Sequence, residues 1–290
     1  MAYDHHRHFC GSIPVETVAE LLDYRVSAET LKERMVITKP VSFEDFLKCF
    51  ELFDYILWDE HKLYKAFQSA VNEVEKDGDL EGAQFICSVD KYNMKPAHVF
   101  DIFNDIAKKS TKKIGLILGI KYEKCAEFIE NYSSYWDCFK FIDGINFMSR
   151  EDKINYIMVE QIIEKIKDYN SLFSTKRILS IGMHVGEMGG DENIKFAIRN
   201  LGLYDIISHG TRASEDTVKK ALDKGILIDV SLVSNLLTSV IKDPSEHGFF
   251  KNINHKNVRI VSDDPIIFNN SIENEYNLID DHIFDLANHP

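Results

Sequence analysis

Residues Ile181–Glu187 read IGMHVGE, an apolar run that stops on a histidine and is followed three residues later by a carboxylate. The run extends back to Ile178, and its length predicts a short buried strand ending near His184. Buried strands rarely finish on such a pair. In a barrel of parallel strands the loops after the strands build the catalytic face, so a His at a strand end and a Glu just beyond it point into one pocket. This reading requires further chemistry-bearing residues at the ends of other strands.

Comparable runs occur along the chain: QFICSVD (84–90), IGLILGI (114–120), FKFIDGIN (139–146), ILSIGMH (178–184), YDIISH (204–209), ILIDVS (226–231) and VRIVSD (258–263). With Ala2–His8 as the first, they make eight. Segments of helical periodicity, such as Glu151–Tyr169 and Ser214–Lys224, are long enough to cross between neighbours. Strand and helix alternating eight times predict an α/β fold, a (β/α)₈ TIM-like barrel, with active-site residues at the strand C-termini. No internal repeat, low-complexity tract or Pro/Gly/Ser-rich linker interrupts it, so residues 1–290 are expected to form one domain.

Within Ala2–His8, side chains alternate between faces, so His6 and His8 share one side. Gly11 and Pro14 end this stretch, and Ser12 is placed to start a helix carrying Val15, Val18, Leu21 and Leu22. Pro40 and Ser42 open a second helical stretch, SFEDFLKCFELFDYIL, with Phe43, Phe46, Leu47, Phe50, Phe53 and Leu57 at helical spacing. Its aromatic stripe reads either as core packing or as a lid over a site. A helix over about Glu60–Glu75 and the turn Asp77-Gly78-Asp79 then lead to the second strand.

Composition narrows the partners. A 290-residue chain, 44% hydrophobic, can bury a sizeable core. Its net charge of −13 and lack of any Lys/Arg-rich block argue against duplex nucleic acid and against an anionic membrane surface. No apolar run approaches the roughly 20 residues that span a bilayer, and no leader-like segment opens the chain. Cys10, Cys49, Cys87, Cys125 and Cys138 are odd in number and form no CxxC pair, which argues against a disulfide framework and a thiolate metal site. A soluble protein in a reducing cytoplasm, acting on a small molecule, is the expectation.

Four of the predicted strands finish on potential metal ligands: His6 and His8, His184, His209, and Asp263 with Asp264. Any one alone reads as a hydrogen-bonded core residue. Several imidazoles and a carboxylate at the same end of one barrel make a site for a divalent ion such as zinc, with a position left for water.

The segments HRHFCGSIP (6–14), HVGE (184–187), SHGTR (208–212), SNLLTS (234–239) and SDDP (262–265) resemble, in order and spacing, the signature segments of the adenosine deaminase family of metal-dependent barrel hydrolases. KPVSFEDFLKCF (39–50) looks like that family's helical insertion after the first strand, a lid over about residues 40–60. The resemblance implies that His6, His8, His184 and Asp263 bind one zinc ion, and that His209 orients or deprotonates the attacking water. It also implies that Glu187 donates a proton to N1 of a purine as water adds at C6, that Asp264 meets N7, and that a backbone N–H near Ser149 meets N3. Cys10, Gly11 and Arg212 would complete the substrate site. The expected activity is hydrolytic deamination of adenosine, deoxyadenosine or their 5′-monophosphates, releasing ammonia. A deaminase of free adenine or of an N6-substituted adenine nucleotide stays open, as do another metal-dependent amidohydrolase or phosphoesterase on the same barrel and a catalytically silent binding module.

Departures from the family pattern bear on the substrate. Nucleoside-acting members carry an Asp where this chain has Cys10, facing the sugar's 5′ end; a neutral thiol removes a charge that would repel a 5′-phosphate. Arg7, Lys91, Lys121, Arg150 and Arg212 flank strand ends, where any could meet a phosphate. Ser149 stands where relatives have Gly. Only about 25 residues follow SDDP, so the last helices are expected to be shortened, leaving Ile279, Ile283 and Phe284 as apolar surface that another subunit could cover in a homo-oligomer.

Overall fold

The computed structural model describes residues 1–172 and 179–288, with side chains through residue 282. Parallel strands β1 (Ala2–His8), β2 (Leu80–Ser88), β3 (Lys113–Lys121), β4 (Gly144–Met148), β5 (Ser180–Val185), β6 (Ile206–His209), β7 (Leu227–Val230) and β8 (Val258–Ile260) pair in chain order in one eight-stranded sheet. Because β8 is short, the ring is completed beyond it. Asp263 bridges Arg7, its N–H donating to the His6 carbonyl (3.1 Å) while its carbonyl accepts from the His8 N–H (2.9 Å). The (β/α)₈ expectation holds.

Between the strands run α1 (Val15–Leu21), α2 (Ala28–Met35), α3 (Phe43–Lys48), α4 (Glu60–Lys76), α5 (Pro96–Lys109), α6 (Cys125–Glu130), α7 (Tyr132–Trp136), α8 (Tyr156–Leu172), α9 (Asp191–Asn200), α10 (Glu215–Asp223), α11 (Leu232–Leu237) and α12 (Ile272–Asn288). Local chemistry sets several of their starts. Ser42, Asp59 and Ser214 each accept a hydrogen bond from a first-turn N–H of the helix that follows. On α4, Leu63, Phe67, Val71 and Val74 are fully buried at helical spacing, and Phe67 stacks on Phe103 of α5 at 4.2 Å between centroids.

Three local expectations change. Phe139 and Ile142 are buried, but residues 139–141 lie in a turn, and β4 begins only at Gly144. Ser12 sits in a 3₁₀ turn and donates to the His8 carbonyl, while Pro14 occupies the N-cap of α1. The stretch after Ser42 is not one helix. It is α3 followed by the 3₁₀ segment Cys49–Tyr55, so the helical spacing lapses and Leu57 is exposed.

The expected apolar surface at the end of the chain is also revised, because α12 packs on α11 and β8 and buries Ile279. Ile178 and the side chains of Ile283 and Phe284 lie outside the described residues.

The base of the closure is ionic. Asp4 is fully buried; it accepts from Arg7 Nε (2.6 Å) and from Ser262 Oγ (2.5 Å), tying β1 to the segment after β8. Asp4→Ala would strand a buried guanidinium, so it is expected to lower unfolding free energy by about 3–5 kcal/mol, read by urea titration; a change under about 1 kcal/mol would mean that the ion pair does not hold the closure.

Candidate active site

Parallel closure brings His6 and His8 of β1, His184 of β5 and Asp263 together at the C-terminal mouth of the barrel. One ligand atom from each lies within 4.8 Å of the others. His8 Nε2 is 3.0 Å from His184 Nε2 and 3.3 Å from His6 Nε2, and Asp263 Oδ1 is 3.3 Å from His8 Nε2. Two nitrogens bound to one tetrahedral ion at ligand distances of 2.0–2.1 Å would lie roughly 3.3 Å apart. These separations are therefore those of ligands around a shared centre. Asp263 Oδ1 is buried and accepts no hydrogen bond among the described residues, an orphan that a cation would satisfy. Three imidazoles and a carboxylate fit a divalent N/O-binding ion.

Three of the four ligands are oriented from behind. His6 Nδ1 meets Asp229 Oδ2 at 3.3 Å, and Arg259 Nε donates to the other oxygen of Asp229 at 2.7 Å. His184 Nδ1 lies 2.9 Å from Asn146 Oδ1 and 3.1 Å from the Phe147 carbonyl, fixing Nε2 toward the centre. Ser234 Oγ donates to Asp263 Oδ2 at 2.6 Å. Burial, followed by the repulsion of neighbouring imidazoles, takes His8 down to about 3 and holds His184 well below its usual range, so both present lone pairs. Burial opposes charge on His6 as well, but Asp229 and Asp263 outweigh it and lift that ring to about 10.

Beside the cluster, Glu187 and Asp264 behave differently from Asp263. Burial first, then the charge of Asp263, pushes both carboxyls well above the ordinary carboxylate range. Asp263 itself stays well below it, burial being overridden by His6 and the surrounding imidazoles. Glu187 Oε2 lies 3.6 Å from His209 Nε2, and His209 Nδ1 lies 3.2 Å from Asn235 Nδ2. His209, Asp263 and Ser149 have φ of +66°, +64° and +81°, left-handed backbone that side-chain-bearing residues adopt only where the surroundings impose it.

These groups open into a cavity of about 270 Å³. Phe43, Phe46, Leu47 and Phe50 roof it, so the aromatic stripe divides: those four face the cavity, whereas Phe53 is in the main core. His8, His184, His209, Glu187, Asp263, Asp264, Ser149 and Cys10 line it, as do Lys91 and Lys121. Gly11 and Arg212 do not. A Cβ on Gly11 would overlap the Asp264 carboxyl, so its small size makes room for that side chain. Arg212 is exposed and its Nε donates to the Glu187 carbonyl at 3.3 Å. Arg7, paired with Asp4, and Arg150, paired with Glu44 and Asp152, do not line the cavity either, so of the five cations expected near a phosphate only Lys91 and Lys121 do.

Sequence reading did not find Asn146, Asp229, Arg259 or Glu151, which act behind the site and follow no recognisable spacing. Ser234 and Asn235 were visible as part of SNLLTS, but without a role.

The family model for adenosine deaminase matches residues 2–287. An adenosine deaminase of Pseudoalteromonas translucida is 24% identical over 94% of this chain and 85% of its own. An adenine deaminase of Chelativorans sp. is 35% identical, but the match spans only 34% of this chain and 31% of that relative. An adenine deaminase structure from Arthrobacter aurescens superposes with a TM-score of 0.80 at 16% identity, over 97% of this chain and 88% of that one. The N6-methyl-AMP deaminase of Arabidopsis thaliana gives a TM-score of 0.79 at 17% identity, over 97% and 86%. With its family pattern matched nearly end to end on a parallel barrel, the chain belongs to the adenosine deaminase family.

Proposed function

We propose that the chain holds one zinc ion through His6, His8, His184 and Asp263 and deaminates an adenine ring carried by adenosine, deoxyadenosine or their 5′-monophosphates. One observation carries this reading: a three-imidazole, one-carboxylate cluster shares a buried cavity with two carboxyls pushed toward their neutral forms. A neutral carboxyl is a hydrogen-bond donor. N1 and N7 of adenine are both acceptors, so carboxyls that burial pushes toward the neutral form suit such a ring at Glu187 and Asp264, and the Ser149 N–H supplies a donor for N3.

When bound, a divalent ion supplies water whose pKa is brought toward ~7. His209, steadied through Nδ1 by Asn235, orients that water and takes up its proton. Glu187 gives its proton to N1, so charge does not build up on the ring while the C6–O bond forms. The C6–N bond then breaks: the amine takes the proton held by His209 and leaves as ammonia, while the C6 hydroxyl passes its proton to the Glu187 carboxylate as the C6 carbonyl forms. Asp264 stays on N7 and holds the ring in register. Donor contacts to three ring nitrogens favour adenine over rings that lack those acceptors.

At the sugar end, Cys10 contributes a thiol that burial pushes up to about 11, hence neutral, and the ammonium groups of Lys91 and Lys121 act on it across the cavity. This supports accommodation of a 5′-phosphate, although Asp54 and Asp90 already pair with the two lysines. The relatives named as adenine and N6-methyl-AMP deaminases favour a second reading, in which the substrate is free adenine or an N6-substituted nucleotide.

Elemental analysis is expected to find about one zinc per chain, lost in His184→Ala; a wild-type protein that takes up no divalent ion would sink the metal assignment. Glu187→Gln should keep the metal and lower kcat by about 10²–10⁴, and parent-like turnover would remove its role as proton donor. A panel of adenosine, deoxyadenosine, AMP, dAMP, adenine and N6-methyl-AMP, followed by ammonia release, is expected to favour 5′-monophosphates. Strict preference for unphosphorylated compounds would refute the reading of Cys10.

A further inference from the structure

We infer that Glu151 is a positioning residue for Glu187: it clamps the peptide that carries Glu187 and sets a fixed negative charge beside it. This rests on the reading of Glu187 as a proton donor. Glu151 lies in the 3₁₀ turn Glu151–Lys153 after β4, is buried, and does not line the cavity that holds the metal cluster. Its Oε1 accepts from the N–H groups of Glu187 and Met188, and its Oε2 from the Gly186 N–H and Asn193 Nδ2, all at 2.8 Å. Three consecutive peptide donors thus converge on one carboxylate, an anion nest formed within the chain.

The clamp is itself held. Tyr156 OH donates to Asn193 Oδ1 at 2.6 Å, and a Cβ on Gly189 would overlap both Asn193 Nδ2 and Glu151 Oε2. On the other side of the peptide, Arg212 donates through its N–H to the Gly186 carbonyl (3.0 Å) and through Nε to that of Glu187. The segment carrying Glu187 therefore has its N–H groups and its carbonyls fixed by different parts of the fold. Such bracing matters because a misplacement of about 1 Å costs a reacting group roughly 10²-fold in rate.

The charge matters separately from the geometry. Glu187 shares the cavity with His8 of β1, Cys10 after it, Lys91 after β2, Lys121 at the end of β3 and Glu123 beyond it, His184 of β5, His209 of β6, Asp263 and Asp264 after β8, and Glu51 and Asp54 after α3, with His6 behind them in the ligand cluster. Burial is the largest cause keeping its carboxyl proton-bearing, with Asp263 next and Glu151 third. A neutral clamp of the same shape would leave the peptide partly held but take away one like charge, so Glu187 would ionise at lower pH.

Zinc-loaded Glu151→Gln tests this. It is expected to keep its metal and a KM close to the parent's, to lose about 10- to 100-fold in kcat, and to exchange the amide hydrogens of Gly186, Glu187 and Met188 faster. The high-pH limb of its kcat profile should move to lower pH. A parent-like kcat and limb would overturn the inference, and so would a lowered kcat with an unmoved limb, which marks a brace without electrostatic effect. Should Glu151→Gln not fold, Glu151→Asp keeps the charge on a shorter arm. It is expected to lower kcat while leaving the limb in place, and parent-like kcat there would equally overturn the clamp. Wild-type protein inert toward every adenine compound would instead overturn the deaminase reading itself.

Discussion

The main chain of Asp263 closes the barrel, and its side chain completes the cluster. Its N–H and carbonyl bond to His6 and His8, the two residues whose imidazoles it joins. Strand closure and ligand convergence are thus one event. A slip of one residue between β1 and the segment after β8 would send His6 and His8 to the opposite face, since side chains alternate along a strand. Asp4, Arg7 and Ser262 lock that register with a buried ionic contact one step below the cluster. The left-handed backbone at Asp263 and His209 is strain that this closed framework can impose on its rim.

Within that frame the carboxyls diverge according to their neighbours. Asp263 is surrounded by imidazoles and carries charge despite burial. Asp264, next in sequence, is driven toward its neutral form because burial and the charge of Asp263 outweigh the pull of His6, and its Oδ1 is unpaired among the described residues. Glu187 follows Asp264 for the same primary reason. Acidic groups whose environments separate their proton affinities are the pattern by which one site holds an anion and a donor together. A cation in the cluster would offset Asp263, leaving burial and the charge of Glu151 to keep Glu187 proton-bearing.

Much of this was legible in the sequence because it is written in strand ends. A short polar strand that alternates His6 and His8 onto one face, and apolar runs that reach His184, His209 and Asp263, mark both a barrel and a candidate site, since the fold places those ends at one mouth. Weakly patterned features were harder to read. Phe139 and Ile142 are buried without belonging to a strand, because apolar content shows burial but not backbone conformation. The helical stripe after Ser42 lapses into 3₁₀ geometry, which similar residue spacing does not reveal. Basic residues near strand ends could not be ranked by sequence, because their partners, Asp4 for Arg7 and Glu44 with Asp152 for Arg150, become neighbours only in the folded chain.

The supporting carboxylates were missed for a related reason. Loops at the rim of a barrel leave runs of peptide N–H groups without strand or helix partners, and a buried N–H without an acceptor is costly. Glu151 satisfies three such donors before α9. Glu275, from α12, satisfies the N–H groups of Leu232 and Val233 in the first turn of α11 and the hydroxyl of Ser231 just before it. The first of these segments carries Glu187. The second, the start of α11, leads into Ser234, which holds Asp263, and Asn235, which holds His209. Both anchors come from outside the segment that they fix, so no local motif announces them. Burial lifts Glu275 to about 7 against those hydrogen bonds, which shows the cost of placing an acid there. That cost is offset because one carboxylate can meet several donors that water cannot reach, and the segments carrying Glu187, Ser234 and Asn235 thereby acquire fixed positions.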